Sequence, residues 1–223
     1  EGTLVVAEYQ EKGRGRLGRT WTSPARKGLW FSLLLRPKIA PQEASRLTLL
    51  TAVAVAEALH KQCNLAVGIK WPNDILINGK KIGGILLEIK AEADQINYLV
   101  LGIGININVD FEEFPDDLVQ IATSLSMEKG FTLSRVEILK VILEKIEEKY
   151  CQYLNMGFGP ILNLWKKYNV TLGKKVTVTN WQRTWVGWAE DIDPNGGLVL
   201  TLPDGTKEII YSGDVTLTGN IPK

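Results

Sequence analysis

Three short segments carry residue types suited to holding an anionic ligand and stabilising charge on it. The first is Gly13-Arg14-Gly15-Arg16-Leu17-Gly18-Arg19-Thr20-Trp21. Lys12, Arg14, Arg16 and Arg19 alternate there with three glycines. Glycine lets a backbone approach a ligand closely and take positive φ. Guanidinium forks grip phosphate or carboxylate through paired hydrogen bonds. Repulsion among like charges predicts a loop that is mobile when empty and gains order around an anion. Trp21 adds a flat face suited to a base ring. A solvated basic loop is the plain alternative, and glycine–arginine runs also occur in nucleic-acid binders; the guanidinium density favours an anion site.

The second segment is Lys70-Trp71-Pro72-Asn73-Asp74, followed by Lys80-Lys81-Ile82-Gly83-Gly84. An Asx turn after Pro72 explains Asn73 and Asp74. It does not explain Lys70 and Lys81 flanking adjacent strands. A lysine at a strand end, beside glycine-lined backbone, is placed to meet developing negative charge. Asp74 suits a lysine or a magnesium ion. Turn and site stand level on these residues alone. The third segment is Leu101–Val109. Its period of two puts Leu101, Ile103, Ile105, Ile107 and Val109 on one face, and Gly102, Gly104, Asn106 and Asn108 on the other. Glycines inside a strand often mark a close approach. Either a helix packs on that bare face or a ligand lies flat on it with Asn106 donating to it; the second is preferred.

The elements that must hold these segments are legible in outline. Thr3–Gln10 alternates as a strand and Leu29–Arg36 reads as a buried strand closed by Pro37, with the basic loop of residues 11–27 between them. Pro41 opens a helix to about Asn64, with Leu47, Leu50, Ala54 and Ala58 on one face. Gly68–Trp71 is extended because Pro72 disfavours helix before it. Ile75–Ile77 and Lys81–Lys90 flank the hairpin signal Asn78-Gly79, and Asn97–Val109 is a long strand. Ser134 and Glu137 form a capping box for a helix to about Leu154, with Val136, Leu139, Leu143, Ile146 and Tyr150 as its apolar stripe. A short helix covers Pro160–Tyr168. Beyond Val170, four short strands separated by turns (175–179, 184–192, 198–202, 207–211) predict a small SH3-like barrel. The expectation is an α/β (α+β) domain over 1–169, a mixed sheet flanked by helices, followed by the barrel over 170–223.

Composition narrows the classes. The chain has 223 residues, 45% of them hydrophobic, enough for one sizeable domain and a small one. No apolar run reaches the about 18 residues of a membrane span. Net charge is +1, so any anion site is local. Cys63 and Cys151 have no CxxC partner and read as reduced thiols, hence a cytoplasmic protein. The single histidine, His60, falls in a predicted helix, which disfavours a His-based triad or a structural zinc.

In this order, Ala7-Glu8-Tyr9-Gln10, Gly13–Trp21, Lys70–Asp74, Lys81–Gly84, Gly102–Asn106 and Ser212-Gly213-Asp214-Val215 resemble the biotin–protein ligase family. The likeness runs over nearly the whole chain. It implies a class II synthetase-like catalytic sheet with an SH3-like cap, acting with ATP and Mg2+ on biotin. It implies that Gln10, Arg14, Gly15, Arg16, Lys81 and Gly84 line the biotin site. Arg19, Trp21, Lys70, Asn73, Asp74 and Asn106 would face ATP or the adenylate, with Asp74 towards the metal. Lys81 and Arg16 would act in catalysis. The partner would be a biotin carboxyl carrier protein, with room for a homodimer, no membrane, and DNA only through an upstream helix-turn-helix. The family's Ser-Thr-Asn biotin segment lies upstream of the strand holding Gln10, so the chain reads as a fragment. A lipoate ligase, a nucleic-acid module and a non-catalytic biotin sensor are the rivals. Near-zero net charge and the acidic stretch Glu112–Asp117 argue against the second.

Overall fold

The computed structural model describes residues 1–92 and 95–217. Six strands form the main sheet: β1 (Leu4–Ala7), β2 (Gly28–Leu35), β3 (Val67–Lys70), β4 (Asp74–Ile77), β5 (Lys80–Glu92) and β6 (Gln95–Asn106). Their spatial order is β1-β2-β6-β5-β4-β3, and every registered pair is antiparallel. The apolar alternation decides the faces. Leu29, Phe31, Leu33, Leu101, Ile103, Ile105, Ile75, Ile77 and Ile69 are buried on one side. Against them lies α1 (Ser45–Cys63), whose run Ala52–Ala56 is fully buried, with α3 (Arg135–Met156) and α4 (Gly159–Tyr168) packed behind it. Small alanines let α1 lie close to the sheet. Among the described residues, no helix packs on the other face, which carries Gly84, Gly102 and Gly104.

Local signals worked as their chemistry requires. Asn78 and Gly79 both take positive φ (51° and 78°), the backbone of a two-residue hairpin turn. Asn64 caps α1 in the left-handed region. Ser134 caps α3 by accepting from the Glu137 N–H, but Glu137 itself pairs with Lys140 instead of completing a box. Two expectations are corrected. β1 is only four residues long. The stripe that α3 buries is Ile138, Ile142, Ile146, Lys149 and Tyr153, while Val136 is 61% exposed. Two adjacent stripes of α3 have helical spacing, and the partner surface chooses: Glu57 on α1 takes Lys149 at 2.9 Å. A short helix α2 (Leu125–Lys129) was also not foreseen.

The C-terminal part is a five-stranded antiparallel sheet, β7 (Lys174–Thr179), β8 (Thr184–Ile192), β9 (Leu198–Thr201), β10 (Lys207–Ile210) and β11 (Asp214–Leu217), in the order β10-β9-β8-β7-β11. It is SH3-like in size but open between β10 and β11 among the described residues, not a closed barrel. The fifth strand, β11, lies outside the four that the sequence predicts. This sheet shares one hydrophobic core with the main sheet. The junction is polar and specific. Trp71 is fully buried; its Nε1–H donates to the Gly196 carbonyl at 3.0 Å and its N–H to Thr171 Oγ1 at 2.9 Å. Ser45 and Arg46, at the start of α1, reach the 194–195 turn. Replacing Trp71 by Phe leaves the Gly196 carbonyl buried and unpaired. It is expected to lower unfolding stability by about 1–3 kcal/mol, read as a reduced urea midpoint at unchanged slope.

Candidate functional site

One cross-strand row organises the open face. Ala7, Trp30, Gly104, Gly84, Asp74 and Lys70 stand opposite one another across all six strands. At its centre two glycines face each other, and the Trp21 indole lies over them. A Cβ on Gly104 would sit 2.6 Å from Trp21 Cε2, and one on Gly84 3.3 Å from Cζ3. Trp21 also meets Trp30 edge-on at 6.1 Å. The bare strip at Gly84 and Gly104 is therefore the seat of an aromatic ring from this chain, where a helix or a ligand was expected.

A β-bulge aims the key lysine. Asp74 pairs with Gly84 and Ile75 with Gly83, but Leu76 pairs with Lys81, so Ile82 is the extra residue. Uninterrupted alternation would put Ile82 on the open face and Lys81 in the core. The bulge reverses this: Ile82 is fully buried and Lys81 Nζ reaches Asp74 Oδ1 at 2.5 Å. Lys70 Nζ holds the other oxygen at 2.9 Å. Burial alone would push the Asp74 carboxyl up; Lys81 and Lys70 outweigh it and the net shift is downward. Lys81 Nζ also lies 5.5 Å from the Trp21 ring centre.

The basic loop folds back on itself. Trp21 N–H donates to the Gly13 carbonyl, Gly15 N–H to the Arg19 carbonyl, and Arg14 bridges Thr20. A Cβ on Gly13 would strike the Trp21 carbonyl oxygen at 2.3 Å and approach Gln10 Oε1 to 3.1 Å, so Gln10 borders the loop. Arg16 points inward: Nη1 donates to Asn73 Oδ1 at 3.1 Å and to the Gly213 carbonyl at 3.3 Å, and lies 3.7 Å from Asp214 Oδ1. Burial draws its guanidinium below the ordinary arginine range, while Asp214 and Asp74 oppose that. Arg19 pairs with Asp214 at 2.6 Å. Arg14 does not converge; it turns outward to Glu88 at 2.8 Å. Cross-loop hydrogen bonds and Asp214 engage the loop in this arrangement.

Sequence reasoning missed the stretch after β6. Val109, Phe114 and Ala122 cluster with Trp30, and Leu118 and Val119 pack there beside Trp21. Lys27 tethers this stretch through Asp110 at 2.5 Å and Glu113 at 3.3 Å. Its scattered apolar residues follow neither helical nor strand period, so no pattern marked it. Asn106, expected to donate to a ligand, is buried and its Nδ2–H donates to the Thr123 carbonyl at 3.0 Å.

Arg16, Arg19, Trp21, Lys70, Asn73, Asp74, Lys81 and Gly84 thus share one site. A cleft of about 630 Å3 opens beside Arg16, between Pro72, the Ile85–Leu87 stretch and the 195–196 and 211–212 turns. Four cations face two carboxylates, a local surplus that attracts an anion. Cys63 is buried, and His60 sits in the last turn of α1 with Nδ1 against the Leu65 carbonyl. Magnesium at Asp74 does not fit: both carboxylate oxygens are held by ammonium groups, which would repel a divalent cation.

The chain matches a family model described as the biotin/lipoate A/B protein ligase family over residues 1–106, and one described as the biotin protein ligase C terminal domain over 171–217. It is 45% identical to the bifunctional ligase/repressor BirA of Bacillus subtilis, over 97% of this chain and 66% of that protein. It therefore spans just under two thirds of that relative's length. It is 32% identical to the biotin–[acetyl-CoA-carboxylase] ligase of Paracoccus denitrificans, over 96% of this chain and 90% of the relative. The biotin protein ligase of Aquifex aeolicus in complex with biotin and ATP superposes with a TM-score of 0.84 at 31% identity, covering 98% of this chain and 90% of the other. A basic loop, a bulge-directed lysine and a glycine bed, joined to relatives matched along almost the whole chain, leave one assignment: the chain belongs to the biotin protein ligase family.

Proposed function

We propose that the chain carries the ligase activity of its family. It joins biotin to ATP as biotinyl-5′-AMP and passes the biotin to a lysine of a biotin carboxyl carrier protein. The convergence of Arg16 and Lys81 beside the Trp21-covered glycine bed carries this reading. A carboxylate oxygen of biotin attacks the α-phosphorus; the bond to the β-phosphate breaks and pyrophosphate leaves. The acceptor amine then attacks the acyl carbon, loses its proton, and AMP departs. No enzyme-bound covalent intermediate is required, which suits a site built from cations and amides. Lys81 leaves Asp74 for the carboxylate and the phosphate as charge develops, and Arg16 holds both from the loop. Gln10, Gly15 and Gly84 border the biotin, with Arg14 at the rim. Arg19, Trp21, Lys70 and Asn73 serve the nucleotide side, and Asn106 supports the site from beneath through the Thr123 carbonyl. The folded loop keeps water from the mixed anhydride. Magnesium enters with the nucleotide phosphates as part of the substrate.

A nucleic-acid module is disfavoured, since the net charge is only +1. No helix among the described residues is long and apolar enough to cross a membrane.

Incubation with biotin and MgATP is expected to yield biotinyl-5′-AMP and pyrophosphate in equal amounts; absence of both sinks the proposal. Lys81→Ala is expected to slow adenylate formation by about a hundredfold to a thousandfold, as for loss of one oxyanion contact, with the folded circular-dichroism spectrum retained. A wild-type rate removes Lys81 from the chemistry. Arg16→Gly is expected to release free biotinyl-5′-AMP, read by mass spectrometry of the filtrate. A level no higher than wild type counts against loop retention.

A further inference from the structure

Lys81 is held by its backbone as well as by Asp74. Its N–H donates to the Ile121 carbonyl at 2.7 Å, and its carbonyl accepts from the Thr123 N–H at 2.9 Å. Residues 121–123 thus lie as a parallel strip along the bulge, with Ala122 opposite Lys81. The strip is anchored on its far side. Thr123 Oγ1 donates to Glu128 Oε1 at 2.7 Å, and the other Glu128 oxygen accepts from Asn78 Nδ2 at 2.7 Å. Asn78 is the tip of the hairpin that leads into Lys81, so the chain of bonds closes on itself. Thr123 is 1% exposed and cannot touch a ligand. The strip's last carbonyl, that of Thr123, takes the Asn106 amide.

We propose that Thr123, through Glu128 and Asn78, is a positioning residue for Lys81. The closed ring of bonds fixes the bulge, and the bulge fixes where the ammonium stands relative to Asp74. The inference rests on the catalytic role proposed for Lys81. A bulge backed on one side only would rock, and the ammonium at the end of a four-carbon stem would magnify that motion.

Thr123→Val keeps the shape and removes the donor, leaving a Glu128 oxygen without its partner. The expected result is an about tenfold lower adenylation rate, with KM for biotin and MgATP within about twofold of wild type. Thr123→Ser, which keeps the hydroxyl, restores the rate. In a Lys81→Ala background the same substitution costs no more than about twofold, because the residue acts through Lys81. An equal loss in both backgrounds, or none in either, overturns the proposal. A second readout needs no activity: acetylation of Lys81 by acetic anhydride, followed by peptide mass spectrometry. It rises severalfold in Thr123→Val and returns to wild type in Thr123→Ser; unchanged labelling overturns the proposal. If Thr123→Val does not fold, Glu128→Gln, which keeps one of the two acceptor oxygens, replaces it with the same criteria. A wild-type chain that makes no biotinyl-5′-AMP sinks the ligase reading, and the labelling experiment still decides the placement of Lys81.

Discussion

A carboxylate withdrawn from water between two ammonium groups governs the site. Asp74 holds Lys70 and Lys81 from adjacent strands, and its side chain is only 14% exposed. Buried ion pairs recover their desolvation cost only when the geometry is good, and their net contribution to stability is often small. Their value here is spatial. Asp74 keeps a lysine pinned at the edge of the glycine bed, ready to exchange one anion for another. The exchange leaves Asp74 paired with Lys70, so neither it nor the incoming carboxylate or phosphate is without a cation.

The same substitution of partners recurs at the loop. Arg16 and Arg19 are engaged by Asn73, Gly213 and Asp214, so the C-terminal sheet supplies acceptors to a loop from the other end of the chain. Trp71 and the 194–196 turn hold that sheet in place. The C-terminal sheet therefore takes part in the site's electrostatics, and its distance from the main sheet is set by a buried indole.

Much of this was legible beforehand. The basic loop, the Lys70–Asp74 string and the two-faced Leu101–Val109 strand stood out together; each alone had a plain alternative. The order of the motifs carried the family. What escaped notice had physical causes. The stripe of α3 was one of two with helical spacing, and the surface it packs against, Glu57 of α1 included, distinguished them. The 107–124 stretch has no period, because it covers an aromatic pair instead of completing a sheet. Asn106 looked like a ligand contact because an amide beside glycines is open in a lone strand; the Thr123 carbonyl that occupies it comes from that unrecognised stretch.

By itself, the order of residues determined most of the secondary elements, the two faces of the Leu101–Val109 strand and the set of groups able to meet an anion. These depend on neighbours a few positions apart, through backbone geometry and side-chain period. The tertiary structure alone decided where those groups point. One extra residue opposite β4 turned Lys81 from core to site, and pairing with Glu88 turned Arg14 away. A bulge and a long-range ion pair depend on which strands and loops meet, and that meeting is set by packing of the whole chain.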